Sequence, residues 1–120
     1  DQHHAEADRM LRLAISRRTR LVTTNLILAE SHRLVLHRAG NRVAAALLDR
    51  VDASPLVTVE FVTADHHRAA RRWLVRLAGQ HITYTDAVSF AIMDALRCRT
   101  AISFDHDFVV AGFRLWTAPG

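Results

Sequence analysis

Residues 84–107 decide the fold class: Tyr84-Thr85-Asp86-Ala87-Val88-Ser89-Phe90-Ala91-Ile92-Met93-Asp94-Ala95-Leu96-Arg97-Cys98-Arg99-Thr100-Ala101-Ile102-Ser103-Phe104-Asp105-His106-Asp107. Residues 86–97 are apolar nearly all round, which predicts a central helix, with Thr85 as its N-cap. Residues 100–104 form a short apolar run and predict a strand. A helical turn over residues 107–111 and a last edge strand over 113–115 complete the pattern.

Working outward toward the N-terminus, the same alternation continues. Residues 3–16 mix apolar and charged side chains at helical spacing. Arg17, Arg18 and Arg20 make a basic turn, and residues 21–23 read as a short strand. Thr24 is placed to cap a helix that carries Leu26, Ile27, Glu30, Leu34 and Leu36 and ends near Gly40. Asn41 can cap a further helix bearing Val43, Ala44, Leu47, Leu48 and Val51, before a loop over residues 52–55. Residues 56–62 are rich in β-branched side chains and predict a strand. Asp65 can cap a basic helix over residues 66–77, stopped at Gly79. Short strands alternating with helices predict an α/β domain with a mostly parallel sheet. In such sheets sites form beyond the carboxyl ends of the strands, the edge to which Thr24 and Asp105 belong. The first helix has no strand ahead of it, so the first strand of the sheet is expected to be missing from this chain. A single domain over residues 1–120, N-terminally truncated, is therefore expected.

Composition fits that picture. The chain has 120 residues, 50% hydrophobic and 23% charged, enough for one small core and unlike a disordered chain. It carries a net charge of +4 and a pI near 10.9, and all 16 of its basic residues are Arg. Arg presents a planar fork of donors suited to phosphate oxygens, which favours a nucleic-acid or acidic protein partner. A charge of +4 is also ordinary for a soluble protein. Cys98 has no second cysteine to pair with, so a reducing cytoplasm is the natural compartment. The opening Asp1-Gln2-His3-His4 is neither a signal peptide nor a membrane segment. It has no initiator Met, so a fragment or cleaved product of a longer protein is expected.

Four acids stand in or beside strongly apolar runs: Glu30, Asp86, Asp105 and Asp107. Buried carboxylates are costly unless paired or bound to a cation. Clustered ones repel and raise one another's pKa, a conflict that a divalent ion relieves. Carboxylate oxygens suit Mg²⁺ or Mn²⁺, which can then act on phosphate esters. Taken singly, each acid has a plainer explanation: helix-terminal charge for Asp86, an exposed helical residue for Glu30, turn formation for Asp105 and Asp107. Other chemistries are less well supported. His3 and His4, like His66 and His67, are adjacent and diverge on a helix. His32 and His37 are five apart, not the four of a helical zinc pair. His106 can touch a phosphate or simply face solvent. No Gly-rich phosphate loop or serine-nucleophile motif occurs. Ser89, one turn after Asp86, can bond within an acidic site or within its own helix. Asp94 reads as a rim residue. Arg68, Arg71, Arg72 and Arg76 recur on one helix as an RNA-binding stripe or a solvated face, and Arg17, Arg18 and Arg20 are a second phosphate contact. Trp73 and Trp116 are core or dimer contacts or base-stacking platforms.

The stretches Thr24-Asn25-Leu26-Ile27-Leu28-Ala29-Glu30, Tyr84 to Met93 and Ala101-Ile102-Ser103-Phe104-Asp105-His106-Asp107-Phe108 together resemble the PIN-domain nucleases, most closely the VapC-type toxins of bacterial toxin–antitoxin pairs. The likeness covers nearly the whole chain, in order and spacing. It implies an α/β/α three-layer fold and Mg²⁺ or Mn²⁺ held by clustered acids. It also implies endonucleolytic hydrolysis of RNA, often tRNA or rRNA, by an activated water. By motif, Glu30 matches the family's helix Glu, Asp86 the Asp opening the central helix, Asp105 the Asp after the next strand and Asp107 the accessory acid. A further family Asp belongs to a first strand ahead of this segment; Asp1 matches a later loop position. A cognate antitoxin and a homodimer are implied as partners, with no membrane. Two other readings are a non-catalytic module that binds antitoxin or RNA, and a PIN nuclease that matures rRNA.

Overall fold

The structure, a computed structural model, describes Leu13, residues 16–102 and residues 107–115. Its contacts divide the chain into two compact units, Arg20–Val62 and a second built from Asp1–Thr19 with Thr63–Gly120.

In the unit Arg20–Val62, strand β1 (Leu21–Thr24) runs into helix α1 (Asn25–Ala53), which returns the chain to strand β2 (Val57–Glu60). β1 and β2 pair in parallel with Leu21 opposite Val57 and Thr24 opposite Glu60. A parallel pair needs a long crossover, which α1 supplies. Thr24 caps α1 as its sequence position predicts: the residue is extended and its Oγ1 accepts from the Ile27 amide at 3.1 Å. Asn25 Oδ1 accepts from the Val62 amide at 3.0 Å, tying the exit of β2 to the first turn of α1. The predicted pair of helices is one element broken at Gly40, whose φ of 86° and ψ of 177° leave the helical region. Only glycine enters that region without steric cost. β2 is shorter than the β-branched run: the last two residues of the predicted strand, Phe61 and Val62, lie beyond the ladder.

In the second unit, helices α2 (Ala64–Arg76) and α3 (Tyr84–Ala95) precede a short parallel pair, β3 (Thr100–Ala101) with β4 (Arg114–Leu115), joined through helix α4 (Asp107–Val110). Both predicted caps sit two residues too late. α2 is capped by Thr63, not Asp65, through a reciprocal capping box. Thr63 Oγ1 accepts from the His66 amide at 3.1 Å, and His66 Nδ1 accepts from the Thr63 amide at 3.1 Å. α3 is capped by Thr83, not Thr85: Thr83 Oγ1 accepts from the Asp86 amide at 3.1 Å. A threonine three residues before an available amide satisfies a donor that the helix itself leaves open. α3 stops at Ala95 rather than at residue 97 because Arg97 turns left-handed, with φ of 57°. Its amide and that of Cys98 then close on the Asp94 and Met93 carbonyls, at 3.1 and 2.8 Å, in a Schellman ending.

α3 is the central helix of this unit, as its composition predicts, with six consecutive residues from Ala87 to Ile92 buried. Phe90 is fully buried. Its ring meets Phe108 edge-on at 5.0 Å, Trp73 edge-on at 5.4 Å and Phe113 stacked at 5.7 Å. α2 and α3 lie side by side and parallel, since His67 meets Tyr84 and Trp73 meets Phe90 at the same offset in sequence. Of the predicted first helix, Leu13 and Ser16 are helical and the Arg17 amide donates to the Leu13 carbonyl at 3.0 Å. Among the described residues the expected parallel sheet takes the form of two parallel ladders, one in each unit.

Candidate functional site

Each acid predicted for the site takes its position from a local signal. In the first unit, β1 ends at Thr24, Thr24 starts α1, and Glu30 follows on the second turn of that helix. Glu30 is exposed rather than buried among the leucines that precede it. The same strand edge carries an acid that periodicity alone passes over. Glu60 ends β2 in register with Thr24 and is half-buried. The signal for it was an ionisable residue closing a β-branched run, at the carboxyl end of a parallel strand.

In the second unit, Asp86 lies in the first turn of α3 and Asp107 in the first turn of α4. Both are half-buried. The exposed amides of a helix N-terminus favour negative charge there. This explains how carboxylates can stand beside apolar runs without being wholly removed from water. Asp105 and His106 lie outside the described residues, as does Trp116. Asp86 and Asp107 therefore share a unit, and Glu30 belongs to the other. Among the described residues no group of three or more His, Cys, Asp or Glu side chains is gathered closely enough to hold a metal ion.

Ser89 departs from both sequence readings. It is 7% exposed and its Oγ has no hydrogen-bond partner among the described residues. A buried hydroxyl left unpaired is unfavourable. It stands one helical turn beyond Asp86, on the same face of α3. Carboxylate and hydroxyl oxygens such as those of Asp86 and Ser89 are donors of the kind a hard cation takes.

The remaining polar side chains sort clearly. Trp73 is a core residue, 8% exposed between Phe90 and Phe113, and so is not a base-stacking platform. Its outer side is covered by the Arg76 guanidinium, 4.1 Å from the ring centre. Asp94 is a rim residue, half-exposed and paired with Arg99 at 3.4 Å. His67 Nδ1 and the Tyr84 hydroxyl lie 2.9 Å apart, holding the N-terminal ends of α2 and α3 together beside Asp86. Arg17 and Arg18 form an exposed turn.

Comparison with known proteins identifies the family. A family model described as PIN domain matches residues 1–114. The 23S rRNA-specific endonuclease VapC20 of Mycobacterium tuberculosis, in strains CDC 1551 / Oshkosh and H37Rv alike, is 38% identical over 113 residues, covering 94% of this chain and 83% of the relative. The crystal structure of the M. tuberculosis VapC20, described as a Sarcin-Ricin loop cleaving toxin, superposes with a TM-score of 0.77 at 38% identity, covering 94% of this chain and 84% of that one. This α/β chain belongs to the PIN-domain family.

Proposed function

We propose that the protein is a metal-dependent endoribonuclease toxin that hydrolyses a phosphodiester of ribosomal RNA. The observation that carries this reading is the 38% identity, over 94% of the chain, to a 23S rRNA-specific endonuclease. Asp86 and Asp107, each in the first turn of a helix, support it. Glu30, Asp86, Asp105 and Asp107 are the residues that would hold Mg²⁺ or Mn²⁺. When bound, such an ion acidifies water and offsets charge on the phosphoryl group.

The chain's own side chains do the rest. Thr83 fixes the first turn of α3 and so the position from which Asp86 acts. The His67–Tyr84 bond anchors that turn to α2. Likeness to a toxin supports a cognate antitoxin that blocks the acidic centre with a basic side chain, and homodimerisation and a cytoplasmic site of action go with this reading. Among the described residues no helix is long and apolar enough to cross a membrane.

The test is cleavage of ribosomal RNA with and without Mg²⁺ or Mn²⁺, repeated with Asp86→Asn. Loss of one group that stabilises developing charge costs a factor of about 100 or more in rate. The first-turn charge itself contributes only ~0.3–1 kcal/mol to the helix. The variant is therefore expected to stay folded and stop cutting. Undiminished cutting by Asp86→Asn, or equal cutting in a chelator, would remove the proposal.

A further inference from the structure

The basic face of α2 has a pattern that the acidic centre does not explain. The helix Ala64–Arg76 contains Arg68, Arg71, Arg72 and Arg76 but only one acid, Asp65. It therefore carries a net +3 of a chain total of +4. Asp65 is used by Arg68, with which it forms an exposed ion pair on the first turn. Arg71 and Arg72 are exposed and have no carboxylate partner among the described residues. The Arg76 guanidinium lies over the Trp73 ring, 4.1 Å from its centre. Such stacking holds a guanidinium in place while leaving its edge donors free.

Two adjoining concavities open on this face. One, of about 320 Å³, is lined by Arg71, Arg72, Val75 and Arg76. The other, of about 300 Å³, shares Arg72 and Arg76 with it and reaches Trp73 and Asp94. The offset between the parallel helices α2 and α3 puts Asp86 level with Ala69. At ~1.5 Å per residue, the stripe runs from that level to roughly 10 Å beyond it.

We propose that Arg71, Arg72 and Arg76 form a track for the phosphate backbone of RNA leading away from Asp86. The proposal rests on the ribonuclease reading. Asp94, at the edge of the second concavity, is paired with Arg99; the planar forks of Arg71 and Arg72 suit phosphate oxygens, and backbone contacts fix register without reading sequence. An acidic protein segment is the poorer fit. A stable protein interface needs a buried apolar centre, and among the described residues of α2 Val75 is the single large apolar side chain exposed.

The experiment measures binding of a fluorescently labelled RNA stem-loop to the full chain in the Asp86→Asn background, by anisotropy over a range of salt. Arg71→Gln/Arg72→Gln removes two phosphate contacts. The slope of log K against log salt is expected to fall by about 1.4–1.8, and affinity near 0.15 M salt by about 15–30-fold. Arg38→Gln/Arg42→Gln removes two exposed charges from α1 and is expected to change affinity less than 3-fold. All four are exposed, and a thermal melt of each variant checks that the fold is kept.

An unchanged slope in the α2 variant, or an equal loss in the α1 variant, overturns the track. So does an unchanged slope combined with loss of a bound poly-glutamate peptide, which assigns the face to an acidic protein segment. Wild-type chain that cuts RNA while the α2 variant binds normally sinks the track alone. A parent chain that neither binds nor cuts RNA sinks the ribonuclease reading with it.

Discussion

Phe90→Ala tests the link between the core and Asp86 most directly. Phe90 is fully buried and makes three ring contacts within 6 Å, with Phe108, Trp73 and Phe113. Aromatic pairs of this geometry contribute about 0.5–1.5 kcal/mol each beyond their burial. Truncating a buried Phe costs about 3–5 kcal/mol once the cavity is included. Three partners from α2, α4 and the segment before β4 surround the site, so collapse around the cavity is restricted and the upper half of that range, ~4–5 kcal/mol, is expected. A chain of this size has a total stability of roughly 6–18 kcal/mol. With a urea slope of about 1–3 kcal/mol/M, the unfolding midpoint should fall by about 1.3–5 M.

Urea titration followed by tryptophan fluorescence reads this directly, because Trp73 lies against the same ring. Phe61→Ala, at a residue 66% exposed, is the control and should shift stability by no more than about 0.5 kcal/mol. Cleavage by Phe90→Ala should weaken at temperatures below its melt, since Phe90 stands one turn from Asp86 on α3. A loss of less than about 1.5 kcal/mol would refute the packing described here, and with it the rigid mounting of Asp86.

Three smaller predictions follow from the backbone and the caps. Thr83→Ala should cost about 1 kcal/mol and lower Tm by about 3–6 °C, because the Asp86 amide loses its acceptor; a shift below about 1 °C would mean the cap is not formed. Gly40→Ala should destabilise by about 1–3 kcal/mol through backbone strain alone, since φ is 86° and nothing lies within 4 Å of an added Cβ. A gain in stability there would show that α1 runs unbroken. Ser89→Ala should raise stability by up to about 1–2 kcal/mol, as it removes a buried hydroxyl without a partner; a clear loss would show that the hydroxyl is bonded.

Much of this protein is written in local pattern. The alternation of β-branched runs with amphipathic stretches was sufficient for the order of elements, because side-chain period and burial are coupled residue by residue. The all-apolar run after Asp86 was sufficient to mark α3 as the central helix. Thr24 was recognisable as a cap from its place between strand and helix. Thr63 and Thr83 were not, because each competed with a second capping residue two positions later, Asp65 and Thr85. Which one caps depends on where the chain turns into the helix, a tertiary matter.

The acids were legible as residues of interest but not as a shape. Their types and order placed the chain among the PIN domains, since motif spacing survives in one dimension. Exposure did not follow from neighbours in sequence: Glu30 faces solvent although four apolar residues precede it. A helix turns each successive side chain by about 100°, so adjacency in sequence says little about which residue meets water. Only packing decided that Trp73 belongs to the core and Arg76 lies across it. Among the described residues the same packing left Ser89 sealed without a partner and Arg71 and Arg72 without a carboxylate. Such facts arise where separate helices meet, and no single stretch of chain contains them.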